Sequence, residues 1–162
     1  MLDIITDMTQ AQGMGRYEVS AYARAGHRCQ HNLNYWQFGD YLGIGASAHG
    51  KLSFAHRVVR QVRWRDPKLY MDKALAGEAV TQETEVSRAD LPFEFILNAL
   101  RLRDGFKLQD FAEKTGLPVT ALQPGLDEAE RRGLIERDLV HVKPTERGFD
   151  FLNDLQALFL TD

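Results

Sequence analysis

The C-terminal part of the chain shows the clearest pattern of apolar and polar positions. Four of its segments repeat apolar residues every three or four positions, which is the spacing of an amphipathic helix. A shorter segment between the third and the fourth alternates residue by residue around Asp138, which predicts a small hairpin. The helical segments are 91–102, 107–115, 118–133 and 144–159, and the hairpin is 134–142.

The order helix, helix, helix, hairpin and helix is that of a winged-helix domain, and Leu117-Pro118 stands where a helix-turn-helix has its tight turn. In a DNA-binding domain of this kind, residues 119–132 would lie in the major groove. Residues 91–162, however, carry nine Lys and Arg against 13 Asp and Glu. Because a duplex repels such a surface, we expect no nucleic-acid partner and interpret this part as a structural or docking module.

The pattern in the first part of the chain is less regular. Apolar positions spaced by three predict a short helix over residues 2–12, which ends before Gly13. Residues 16–23 alternate and predict a strand, so that helix and strand form an αβ unit of a parallel sheet. Only one further strand is indicated, around 41–44. Because two strands are too few for a sheet, either another molecule supplies partners or the chain is a piece of a larger fold.

A connecting region follows. Residues 53–64 alternate and predict one or two strands, and Pro67 opens a helix over 68–76 that stops at Gly77. Residues 78–90 are polar and are interpreted as an extended lead-in. The fold class expected is α+β. The domains expected are 1–66 as a first domain, 67–90 as a connector, and 91–162 as a winged-helix-like domain.

Composition narrows the setting of the protein. The chain has 162 residues, a formal net charge of −3 and a single cysteine, Cys29. A single cysteine excludes a disulfide framework within the chain and favours a reducing compartment. The N-terminus has no basic segment followed by an apolar one, and no apolar run approaches the roughly 20 residues that span a bilayer. These features predict a cytoplasmic protein without a signal peptide.

Residues 31–50, HNLNYWQFGDYLGIGASAHG, combine four aromatic residues, two histidines and four glycines. Glycine lets a backbone approach a ligand closely, and Gly43-Ile44-Gly45 could do so, although a plain tight turn explains it equally well. Ser47 does not stand in a nucleophile elbow and is interpreted as a turn residue. The combination indicates that something flat or apolar is held against this backbone.

Two metal chemistries fit this stretch. His27, Cys29 and His31 are spaced by two, so an extended segment would place them on one face, but zinc needs a fourth ligand that the sequence does not offer nearby. Haem needs an imidazole and apolar walls, which His31, Tyr35 and Trp36 could supply. In the competing interpretation, His31 and its neighbour Asn32 bond a turn while the aromatic residues fill a core. Cys29 is then a small half-buried residue.

Three stretches, RYEVSAYAR, HNLNYW and FGDYLGIGASAHG, closely resemble radical SAM proteins of the oxygen-independent coproporphyrinogen III oxidase-like family. The branch they resemble is that of the haem chaperones, in which the H-N-x-x-Y-W motif is linked to haem binding. The resemblance implies a haem site at His31, Asn32, Tyr35 and Trp36. His31 is then the candidate iron ligand and Cys29 its rival.

The resemblance also implies what lies around this chain. Full-length members are similar to a partial (β/α) barrel that holds a [4Fe–4S] cluster on a C-x-x-x-C-x-x-C motif, with S-adenosylmethionine on the open iron. Gly43, Gly45 and Ala46 would lie near the S-adenosylmethionine. Because this chain has one cysteine, we expect residues 1–66 to be the last elements of such a barrel, inactive without the missing N-terminal part.

Several functions are therefore expected in order. The first is the C-terminal portion of a chaperone that binds haem and delivers it to haem proteins, with a homodimer of the chain as a further expectation. The second is part of an oxygen-independent coproporphyrinogen III oxidase, whose branch lacks the H-N-x-x-Y-W motif. The third is a winged-helix interaction module unrelated to haem.

Overall fold

A computed structural model describes residues 2–160. The chain begins with helix α1 (Leu2–Ala11), which confirms the helix predicted there. Strands β1 (Gly15–Arg16) and β2 (Tyr22–Ala23) follow and pair antiparallel as a small hairpin. The single strand predicted over 16–23 is therefore wrong. The chain reverses within it, because the backbone N–H groups of Tyr17 and Glu18 both donate to the carbonyl of Ala21.

Helix α2 (Gln30–Trp36) occupies the stretch that carries the aromatic residues and the first histidine. The strand predicted around 41–44 is wrong, since pairing there is limited to an isolated antiparallel bridge between Tyr41 and Lys51. The hydroxyl of Tyr70 accepts a hydrogen bond from the Gly45 N–H at 3.0 Å. The segment after α2 is thus a loop held against neighbouring elements.

A three-stranded sheet forms the middle of the chain, in the order β3 (His49–Phe54), β4 (Arg57–Arg63) and β5 (Val80–Glu85). Helix α3 (Pro67–Leu75) connects β4 to β5 and is capped by the Asp66 carboxylate, which accepts from the Leu69 N–H at 2.8 Å. The polar lead-in predicted over 78–90 therefore contains a strand. Every strand pair among residues 2–160 is antiparallel, so the parallel αβ unit expected from the sequence is not formed.

The C-terminal part confirms the order of elements predicted from its pattern. The helices are α4 (Leu91–Ala99), α5 (Leu108–Thr115) and α6 (Gln123–Arg131), the last preceded by a 3₁₀ turn over Val119–Leu122. A sheet of order β6-β8-β7 is built from β6 (Phe106–Lys107), β7 (Ile135–Arg137) and β8 (His141–Pro144). The final predicted helix divides at Phe151 into α7 (Glu146–Asp150) and α8 (Leu152–Ala157).

The core lies mainly between the C-terminal helices, and Phe95 on α4 is at its centre. The rings of Phe38, Phe106 and Phe111 stand edge-on to Phe95, with centroid distances of 5.5, 5.1 and 5.2 Å. Aromatic pairs of this geometry stabilise a core beyond the burial of their surface. Because Phe38 follows directly after α2, this core also fixes where α2 ends.

No helix within residues 2–160 combines the length and the apolar character needed to cross a membrane.

Candidate functional site

Helix α2 carries the residues predicted to contact haem. His31 and Tyr35 lie one turn apart, and their rings meet edge-on at 4.8 Å between centroids. Tyr41 continues the row, with its ring 4.4 Å from that of Tyr35. The two outer sides of this row differ in solvent contact, since His31 is exposed whereas Tyr35 and Tyr41 are half-buried. The helix therefore presents an imidazole to solvent with aromatic rings behind it.

The extended geometry assumed for His27, Cys29 and His31 is wrong, because the chain turns into helix at Gln30. Cys29 is the N-cap residue of α2, is exposed and makes no side-chain capping bond. The alternation that would have aligned three ligands on one face ends at this point. Among residues 2–160, no group of three His, Cys, Asp or Glu side chains is placed to hold a metal ion.

Trp36 lies on another side of α2, against the C-terminal domain. The guanidinium of Arg101 sits over its ring, 4.2 Å from the centroid, which is the geometry of a cation–π contact. The indole Nε1 is buried and has no hydrogen-bond partner. No hydrogen bond joins Asn32 to His31 in the part of the chain that the structure describes. Trp36 thus anchors the helix instead of standing beside His31.

Arg101 is itself held by Glu18, which sequence reasoning had placed on a polar strand face. The Nε and Nη2 atoms of Arg101 donate to Glu18 Oε1 at 3.0 and 2.6 Å. The other carboxylate oxygen accepts from the N–H and hydroxyl of Ser20. Glu18 is 2% exposed, and a charge buried to this degree requires such partners.

The C-terminal end of α2 is fixed by an unusual residue. Phe38 is not glycine, yet it adopts the left-handed conformation with φ of 58°. Its N–H donates to the Tyr35 carbonyl, and the N–H of Gly39 donates to the Asn34 carbonyl at 2.7 Å. A side chain at Gly39 would collide with that of Asn34. The left-handed backbone costs energy, and the burial of the Phe38 ring against Phe95 offsets it.

Lys51 on β3 completes this end of the helix. Its ammonium donates to the Phe38 carbonyl, Asp40 Oδ1 and Ser53 Oγ at 3.0, 3.0 and 2.9 Å, and lies 3.9 Å from the centroid of the Phe38 ring. Burial lowers the pKa of Lys51 despite the opposing effect of Asp40. Burial also raises the pKa of Asp40, but hydrogen bonds from Ser53 and Lys51 outweigh it and hold that pKa below its usual value. The pair is therefore ionised and fully bonded.

The glycine-rich loop has structural reasons within this chain. A side chain at Gly43 would collide with the backbone of His49, and Gly45 has φ of 108°, which side-chain-bearing residues rarely adopt. Ser47 is left-handed with φ of 61° in the turn that follows. Contact of Gly43, Gly45 and Ala46 with S-adenosylmethionine stays a prediction.

Sequence reasoning missed Glu18, Lys51 and Arg101, which position α2. Each stands in a segment where its neighbours alternate or are apolar, so that a charged residue on the inner face was the available signal. A pattern of hydrophobic positions treats such a residue as solvent-facing.

A [4Fe–4S] cluster does not fit this chain. The motif that holds it requires three cysteine thiolates, and the 162 residues contain one. The residues present therefore supply no cluster chemistry and no open iron for S-adenosylmethionine.

Comparisons with known proteins agree with this architecture. Residues 86–151 match the family model of the HemN C-terminal domain. The haem chaperone HemW of Escherichia coli K12 is 42% identical over 94% of this chain and 39% of its own length. HemW of Haemophilus influenzae is 44% identical over 93% of this chain and 38% of its own length. The chain thus spans about two fifths of the length of the curated relatives that it matches.

A solved structure has the same fold. Coproporphyrinogen III oxidase (HemN) from Escherichia coli, described as a radical SAM enzyme, covers 98% of this chain with a TM-score of 0.67 and 14% sequence identity. The match takes in 39% of that enzyme. At this identity it supports the fold alone, whereas the HemW matches support common descent. The chain is therefore homologous to HemW haem chaperones over nearly its whole length, and residues 86–151 are a HemN C-terminal domain.

Proposed function

We propose that this chain binds haem on α2 as part of a protein that delivers haem to haem proteins, with His31 as the iron ligand. The observation that carries the proposal is the exposed His31 imidazole, backed edge-on by Tyr35, on a helix whose other side is fixed to the core. Haem is written here as cargo, which must both enter and leave. An exposed ligand suits that exchange better than an enclosed pocket.

The residues present fit this cargo. Haem iron accepts an imidazole nitrogen, and the apolar ring system favours contact with an aromatic side chain. Tyr35 is the better wall for the porphyrin, since Arg101 already covers one face of Trp36. Cys29 is exposed and precedes α2 directly, so it stands as the rival ligand.

For the C-terminal part, we propose a winged-helix-like docking module for the haem-receiving protein. On α6 the arginines are already paired with carboxylates: Arg131 and Arg132 with Glu128, and Arg137 of β7 with Asp127 and Glu130. Guanidinium groups engaged in this way are poor partners for phosphates. This pairing supports a protein partner over a nucleic acid.

The remaining parts of the proposal concern a longer polypeptide of the relatives' length. In it, residues 1–66 would close one side of a partial radical SAM barrel, and Gly43, Gly45 and Ala46 would lie near S-adenosylmethionine. The missing N-terminal barrel, or a second copy of this chain, would cover the large apolar side chains that are exposed before residue 76. These are Ile4, Ile5, Met8, Leu42, Ile44, Phe54, Leu69, Met71 and Leu75.

Haemin titration of the chain tests the proposal. We expect wild type to develop a Soret band of imidazole-ligated haem, and His31→Ala to lose that band while the fold is kept. Cys29→Ala should leave the band in place. His56→Ala is the matched control, because His56 is also exposed but lies at the turn between β3 and β4, away from α2.

The titration also separates the alternatives. If Cys29→Ala abolishes the band and His31→Ala does not, the ligand assignment is wrong. If no variant changes the spectrum, or wild type binds no haem, α2 is a structural element of this chain. A segment of an oxidase related to HemN, whose fold the chain shares, then becomes the better interpretation.

A further inference from the structure

We propose that Arg101, held by the buried carboxylate of Glu18, is a positioning residue for the haem helix. The proposal rests on the function proposed above, because it concerns how His31 is held at its site. Neither residue touches His31. Both act through Trp36, which lies on the same helix as His31 and Tyr35.

The length of α2 makes external support necessary. A helix of seven residues does not form by itself in water, because nucleation fixes several residues for few hydrogen bonds. The N-terminus of α2 has no side-chain cap and no acidic residue in its first turn. Its orientation therefore depends on contacts made further along, at Trp36 and at Phe38.

The contact at Trp36 is directional. A guanidinium over an indole ring is attracted to the ring face, so it fixes the plane of the ring as well as its distance. Arg101 can hold this position because Glu18 Oε1 accepts from two of its nitrogens, and Glu18 is held in turn by Ser20. The indole Nε1 has no hydrogen-bond partner, so the stacking contact is the main polar interaction of the Trp36 side chain.

The chain from Glu18 to Arg101 to Trp36 therefore joins the β1–β2 hairpin, the segment after α4 and the helix α2. Because α2 is rigid over two turns, rotation of the Trp36 ring moves the His31 imidazole with it. Lys51 fixes the other end at Phe38, so loss of Arg101 should loosen α2 without unfolding it.

The test is a double variant, Glu18→Gln with Arg101→Met, which removes the stacking charge without leaving a buried carboxylate unpaired. We expect haem to dissociate roughly three- to tenfold faster, with a broadened Soret band and altered electron paramagnetic resonance of the ferric haem. Arg101→Lys keeps the ion pair but not the planar stack, and should lie between wild type and the double variant. Circular dichroism and thermal unfolding confirm that each variant is folded at the assay temperature.

Arg103→Met with Glu146→Gln is the matched control, because Arg103 likewise lies over an aromatic ring, that of Phe149, and pairs with a carboxylate. It should leave the spectrum and the dissociation rate unchanged. If the Glu18–Arg101 variant also leaves them unchanged while His31→Ala still abolishes the Soret band, the positioning role is wrong and the proposed function stands. If His31→Ala has no effect, the proposed function fails first.

Discussion

Of the 23 buried apolar side chains in the described part of the chain, 19 lie after residue 90 and four before it. Large apolar side chains that are exposed show the reverse, with nine before residue 91 and five after it. The first part, residues 2–90, instead contains the two buried charged residues, Glu18 and Lys51. The C-terminal part is thus held by apolar packing, and the first part is joined to it through directed polar contacts.

This difference explains why one part carries the candidate site. Apolar packing tolerates many arrangements of similar volume, whereas a charged hydrogen bond fixes distance and direction. A helix that must hold an imidazole in a defined place gains from the second kind of contact. A module that only has to remain folded needs the first.

The largest effect is expected at the centre of the C-terminal core. Phe95→Ala removes the ring that contacts Phe38, Phe106 and Phe111, and should lower the free energy of unfolding by about 3–5 kcal/mol. Ile44→Ala is the control from the first part, where the side chain is 85% exposed, and should change it by less than about 0.5 kcal/mol. Urea unfolding of both variants measures the difference. Equal losses would show that the first part has a core of its own.

A smaller effect is expected at the buried ion pair. Lys51→Met removes three hydrogen bonds, including the one to the Phe38 carbonyl, and should cost about 1–3 kcal/mol of unfolding free energy. The loss should be seen in the melting of α2 as well as in global unfolding.

The same pair predicts a dependence on pH. The pKa of Asp40 is lowered in the folded state, so its contribution is present above the unfolded value of about 3.8 and is lost as pH falls through the folded value. The unfolding free energy should therefore drop between about pH 5 and pH 2, and Asp40→Asn should make this drop shallower. An unchanged acid slope in Asp40→Asn would mean that the carboxylate is not bonded as described.

The smallest effect concerns a surface carboxylate of the C-terminal part and serves as the contrast to Asp40. Hydrogen bonds from Arg131 and Arg132 lower the pKa of Glu128 to about 2. Carboxyl chemical shifts from NMR should show this titration, and Arg131→Ala with Arg132→Ala should move it back toward 4.5, with little change in stability. A Glu128 that titrates near 4.5 in wild type would show that the arginines are solvated and not paired.

The sequence predicted the two parts with unequal success, and the reason is physical. The helices from Leu91 onward were predicted correctly because their apolar stripes face one core, which periodicity detects. The strand predicted over 16–23 and the extended form assumed for 27–31 were wrong. There the conformation follows from Glu18 and from the cap at Cys29, which no apolar spacing reveals. His31 and Tyr35 were recognised from residue chemistry, but their supports Arg101 and Lys51 lie too far along the chain to be paired with them.

Helix α2 depends on partners that are distant in sequence. Lys51 is 13 residues from Phe38, and Arg101 is 83 residues from Glu18. Closing such loops costs entropy, and a two-turn helix gains too little by itself to form first. During synthesis, α2 therefore has no complete anchor until Arg101 has left the ribosome and the segment around Phe95 has folded. An unfinished chain would hold His31 on a disordered segment, so that only a completed molecule offers haem a defined ligand.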